Sequence, residues 1–121
     1  MNDNIPPSPS RPPPPKVAAI EHNGVRYEQD MLSYRFGGTQ PGGYLVAVDM
    51  ASGERLWMLK VYEVTLHEAA GVSTPGRYFR SMRRLPGREE LEIESEVGGK
   101  YLVDLIKHTA IWLSGPDSVN K

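Results

Sequence analysis

Three histidines, a run of glutamates, a cluster of arginines and the glycine pairs at 37–38 and 42–43 are the features of this 121-residue sequence that could carry chemistry. His22, His67 and His108 would be metal ligands or proton carriers if they converged, yet none stands at the i, i+4 spacing that sets two imidazoles on one helical face. Cysteine is absent, which removes disulfides, thiolate catalysis and cysteine-ligated zinc or iron–sulfur centres. Ser33, Ser52, Ser73, Ser81, Ser95 and Ser114 include no Gly-x-Ser-x-Gly elbow that would expose a nucleophile. Gly37-Gly38 and Gly42-Gly43 precede a strand pattern rather than a helix, and lack the Lys-Ser/Thr that follows a phosphate loop. His67 beside Glu68 suggests acid–base work, but neighbours on a helix point apart. Glu89, Glu90, Glu92, Glu94 and Glu96 could offer a carboxylate pair, although alternate residues on an exposed strand more simply solvate one face. We therefore read the chain as non-catalytic, with no cofactor and no metal centre.

Arg77, Arg80, Arg83 and Arg84, with Tyr78 and Phe79 as stacking platforms, form the pattern of a single-stranded nucleic-acid surface. The glutamates of the next strand answer them. A three-residue loop centred on Gly87 would set Arg84 opposite Glu90 and Arg80 opposite Glu94. Unlike charges across strands contribute roughly 0.2–1 kcal/mol each and help fix register. The arginines thus read first as a structural charge ladder, with Arg77, Tyr78, Arg80 and Arg84 as the candidate binding surface. A net charge of −1 argues against a dedicated nucleic-acid domain, which is strongly basic, and against attachment to anionic lipid by charge alone.

These side chains need elements to hold them. Eleven prolines and twelve glycines favour a turn-rich β fold over a helical one. From Pro6 to Pro15 nearly every residue is Pro, Ser or Arg, which favours polyproline II and predicts a disordered tail over residues 1–16. Arg11-Pro12-Pro13-Pro14-Pro15-Lys16 has the composition of an aromatic-groove ligand. Neither orientation sets two prolines three apart at the required offset from a basic residue, so the tail reads as a spacer. The N-terminus has neither the basic nor the apolar region of a signal peptide, and no segment is long and apolar enough to span a bilayer. A cytoplasmic location is the expectation. One β domain is expected over residues 17–114, with 115–121 frayed.

Asn23-Gly24 between Val17–Glu21 and Val25–Glu28 predicts a tight hairpin, with His22 as a solvated turn residue. Residues 30–43 read as a short helical turn or irregular strand before Pro41-Gly42-Gly43. Tyr44–Val48 and Leu56–Val64 form a second hairpin, closed by Asp49 accepting turn N–H groups and Gly53 taking a left-handed conformation. Trp57, Leu59 and Val61 are assigned to the core. The apolar residues on both faces of Leu56–Val64 predict a central strand covered on two sides. Residues 64–76 read as a mixed connection with one helical turn. Leu91, Ile93 and Val97 are expected inward on the glutamate strand, then Tyr101, Val103 and Leu105 after Gly98-Gly99. Residues 102–113 also carry helical spacing; the double glycine and the β-branched content favour two strands instead.

Leu45–Trp57 resembles the strand–turn–strand core of a PQQ-type β-propeller blade, with Asp49, Ser52, Gly53 and Trp57 at the matching positions. A propeller needs at least four blades, and no second copy of the motif occurs in this chain. The motif is a packing device in that family, so the resemblance implies neither quinone binding nor quinoprotein chemistry. The general layout is also similar to small bacterial β proteins, a likeness that implies no function. The expectation is an all-β antiparallel meander of about seven or eight strands, closed as a small barrel or layered as a sandwich. Its leading role is a non-catalytic binding or protein–protein interaction module, with self-association through an edge strand as one mode. OB-like nucleic-acid binding through Arg77–Arg84 is the alternative, and a small enzyme stands third.

Overall fold

The protein is described from a computed structural model, and the described residues are 17–64 and 78–116. Eight antiparallel strands form two four-stranded meanders. The first runs β1 (Ile20–His22), β2 (Val25–Gln29), β3 (Tyr44–Asp49) and β4 (Arg55–Lys60), in that spatial order. The second runs β5 (Phe79–Arg84), β6 (Glu90–Ser95), β7 (Lys100–Asp104) and β8 (Thr109–Ser114). Strands of the two sheets do not hydrogen bond into a barrel, so the sandwich alternative holds. The tail at 1–16, the connection at 65–77 and the terminus at 117–121 lie outside the described residues, as do His67, Glu68 and Arg77. Among the described residues no helix is long and apolar enough to cross a membrane.

Local chemistry closes each hairpin. Asn23 and Gly24 both take positive φ, 54° and 77°, the geometry whose twist matches the flanking strands. The β3–β4 turn forms as the sequence predicts: Gly53 has φ 77°, and the Asp49 carboxylate accepts from the Ser52 hydroxyl at 2.7 Å and the Ser52 N–H at 2.9 Å. These bonds hold Asp49 below the usual carboxylate range, the hydroxyl contributing most.

The core lies between the sheets. Tyr27, Leu45 and Ala47 from the first meet Phe79, Leu91, Ile93, Tyr101 and Val103 from the second. Tyr62, just past β4, packs against both Tyr101 and Phe79, with ring centroids 5.0 and 6.1 Å away. The Gln29 side-chain oxygen accepts the N–H of Phe79 at 2.8 Å, stitching β2 to the start of β5.

Several expectations need correction. The strand covered on both faces is β3, not Leu56–Val64: Tyr44 through Val48 are all buried, while Leu56 and Lys60 are exposed on the edge strand β4. In the segment between β2 and β3, where the sequence allows a helical turn or an irregular strand, the chain forms a 3-10 turn, Ser33–Phe36, and the Thr39 N–H donates to the hydroxyl of Tyr44 in β3 at 2.8 Å. There Asp30, buried, pairs with Arg55, and Arg55 lies 3.7 Å above the Phe36 ring. Strand β4 ends at Lys60 because Gln40 captures the backbone just beyond it, donating to the Tyr62 carbonyl at 2.7 Å and accepting from the Val64 N–H at 3.0 Å. Strand β1 starts at Ile20 rather than Val17. Val97 is exposed in the β6–β7 turn instead of inward, and Ser95 takes the buried position before it.

The arginine–glutamate register is also displaced by one residue. Leu85 and Glu90 close the turn through the Leu85 N–H to Glu90 carbonyl bond, leaving four residues, Pro86 to Glu89, where three were expected. Arg84 therefore faces Leu91, and Arg83 faces Glu92.

Candidate functional site

The predicted binding surface is bound up with its own hairpin. Arg80 approaches Glu94 at 3.8 Å and donates to the Glu96 carbonyl at 2.8 Å. Arg83 pairs with Glu92 at 2.8 Å, and Arg84 donates to the Arg88 carbonyl at 2.9 Å. The Tyr78 N–H goes to the Glu96 carboxylate at 3.2 Å. The neutralisation expected of this hairpin is present, carried by partly different pairs because of the longer turn.

Two histidines that sequence patterns leave solvated or unassigned join the sheets. His22 brings Nε2 within 2.9 and 3.0 Å of the two Glu89 carboxylate oxygens, linking β1 to the β5–β6 turn. His108, in the β7–β8 turn with φ 58°, stacks on Trp57 of β4 at 4.0 Å. Trp57 also meets the buried Tyr27 ring at 5.9 Å, so it packs against the core as its place in the strand pattern predicts. The described histidines are thus engaged singly, and no group of three His, Asp or Glu among the described residues could hold a metal.

Among the described residues, two of the surface depressions bear on function. One, of about 340 Å³, lies between the β5–β6 and β7–β8 turns and is lined by Arg88, Glu89, Glu90, Asp104, Ile106 and Lys107. Its charges serve the fold: Arg88 pairs with Glu90 at 3.2 Å, Glu89 holds His22, and Asp104 accepts the N–H groups of Ile106 and Lys107 at 2.9 Å. The last two bonds, Lys107 foremost, lower the Asp104 pKa. The other, of about 390 Å³, runs between the end of β4 and strand β8, lined by Val61, Tyr62, Tyr101, Ala110 and Trp112 with Lys60 and Glu63 at its rim. Burial pushes the Tyr62 phenol far up, with the Tyr101 and Glu96 charges adding to the shift, so this phenol stays neutral.

Strand β8 forms the wall of that groove and the edge of its sheet. Ile111 is 56% exposed, Trp112 50% and Leu113 43%. The Trp112 indole N–H donates to the Gly115 carbonyl at 2.9 Å, and the residue remains half exposed. The contrast with the other three edges is chemical. Edge β1 is three residues long and carries Glu21; β4 carries Arg55 and Lys60; β5 carries Arg80, Arg83 and Arg84. Short length and charge are the ordinary means of stopping an edge from accepting another strand. Bulges are a third means, and the unpaired Leu56 of β4, Arg80 of β5 and Leu113 of β8 are all of this kind. Thr109 to Ser114 holds no charge at all, and its bulge falls only at Leu113.

The sequence carries this signal in the uncharged run Ala110–Leu113, but its helical spacing hides it. Edge position is a property of topology, which periodicity does not report. No family model, no curated protein and no solved structure matches the chain.

Proposed function

We propose that this protein is a non-catalytic protein-binding module that accepts an extended segment along β8. The observation that carries the proposal is the uncharged β8 edge, alone among four described edges in lacking both charge and short length. Strand addition draws affinity from main-chain hydrogen bonds and specificity from alternate side chains. An added strand would present one set of alternate residues to the groove of Trp112, Ala110 and Tyr62, and the other to the face of Ile111. Apolar residues at consecutive positions, filling both faces of the added strand, are the chemistry this surface selects. The internal pairing of Arg80, Arg83 and Arg84 favours this reading over OB-like nucleic-acid binding. In the groove itself Lys60 pairs with Glu63 at the rim, and the walls are aromatic and aliphatic, which favours binding over catalysis.

A random-peptide display selection on the full chain tests the reading. Peptides with a short run of consecutive apolar residues should be enriched, and Ile111→Lys should abolish their binding while Arg83→Gln leaves it intact. Enrichment of peptides indifferent to Ile111→Lys would contradict it.

A further inference from the structure

We infer that the segment docked on β8 is the β8 strand of a second copy, paired antiparallel about a two-fold axis at Ile111. The inference rests on the reading of β8 as a strand-accepting edge and adds the identity of the occupant. A strand meets its own copy in an isologous pairing, so every side chain is opposed by one from the same six residues. Like charges directly opposite are destabilising across strands, and self-pairing would impose this on the arginines of β5. Thr109–Ser114 brings no charge to such a pairing.

The sizes also fit. With Ile111 opposite itself, Ala110 of each copy faces Trp112 of the other. The smallest residue of the strand then opposes the largest, on the face that lines the groove with Tyr62 and Tyr101. On the other face the two Ile111 side chains meet beside Leu102, the β7 partner of Ile111. These three pairs, 110 to 112, stop short of the bulge at Leu113. The flanking charges are unlike: Asp104 stands in the row of Thr109 and Lys100 in the row of Ser114, so the axis sets the acidic row of one sheet in line with the basic end of the other. The product is a continuous eight-stranded sheet, β5 to β8 followed by the same strands of the second copy.

The absence of cysteine makes the test direct. Residues opposed across an antiparallel pair have Cα atoms about 4.5–5.5 Å apart, within disulfide reach. Ile111→Cys should therefore oxidise to a covalent dimer, whereas in Leu113→Cys the two thiols would be about 13 Å apart along the strands and should cross-link at least about tenfold more slowly. Sedimentation of the unmodified chain should show a concentration-dependent dimer that Ile111→Lys removes, with its far-UV circular dichroism unchanged and its melting temperature equal to that of the dilute unmodified monomer. A chain that stays monomeric up to about 1 mM overturns the inference, as does cross-linking at 113 as fast as at 111. A monomer that still binds selected peptides through β8 overturns the second copy as occupant while leaving the strand-addition reading in place.

Discussion

His108 lays its imidazole on the indole of Trp57 across the gap between the two sheets, with ring planes 22° apart. The turn that presents it requires a left-handed backbone, which costs an L-residue roughly 1–2 kcal/mol. Stacking of this kind contributes about 0.5–1.5 kcal/mol. The two effects nearly offset in His108→Gly, which should unfold in urea close to wild type. His108→Ala keeps the strain and loses the ring, so it should be about 1 kcal/mol less stable than His108→Gly. Trp57→Ala also strips the contact with Tyr27 and should cost about 3 kcal/mol.

The Asp30–Arg55 pair is predicted to be stability-critical because the carboxylate is buried and Arg55 is its ionic partner. Arg55→Met should lose about 3–5 kcal/mol in denaturant unfolding. Arg55→Lys should restore little of this, since an ammonium cannot both reach Asp30 and lie flat over Phe36. Adding Asp30→Asn to Arg55→Met should recover stability by removing the stranded charge.

Stability should fall at both ends of the pH range. Asp49 and Asp104 have folded pKa values below their ordinary 3.8, so they contribute stability above it that is lost as pH drops through the folded values. Asp49→Ala should flatten this acid limb. Tyr62 behaves in the opposite sense: burial raises its pKa above the ordinary 10.0, so its contribution is complete below pH 10 and erodes as pH climbs beyond it. Tyr62→Phe should make the protein more resistant above pH 10 relative to its own stability at neutral pH. Thermal melts across pH, compared between these variants, check both signs.

Short-range signals of the fold are legible in the sequence, and long-range ones are not. Asn23-Gly24 and Asp49 with Gly53 announce their turns because the left-handed backbone and the carboxylate cap act within a few residues. Leu91, Ile93, Tyr101, Val103 and Leu105 announce their face by strict alternation. The two-sided burial of β3 cannot be read, because burial on the second face depends on tertiary neighbours that local periodicity does not report, as the Asp30–Arg55 pair beside it also does. The one-residue displacement of Arg84 arises from a turn length that Pro86-Gly87 does not fix by itself. His22 and His108 look idle because Glu89 and Trp57, their partners, are distant in sequence. The exposed edge at Ile111–Leu113 depends on which strand ends the sheet, and that is decided by the whole meander.

Arg80 is predicted to serve the hairpin. Arg80→Glu should lower stability by about 1 kcal/mol through repulsion of Glu94 and loss of its bond to the Glu96 carbonyl. Native gels with single-stranded oligonucleotides at moderate salt should show no retardation for wild type or variant. Retardation that disappears in Arg80→Glu and weakens steeply with salt would instead assign the arginine strand to nucleic acid.

Residue-resolved amide hydrogen exchange of the full chain, dilute enough to be monomeric, with and without a peptide selected on it, tests the assignment of β8 most directly. Binding should slow exchange at amides of Ala110–Leu113, and Ile111→Lys should erase the effect. Slowing confined to Phe79–Arg84, or none at β8, would contradict the account.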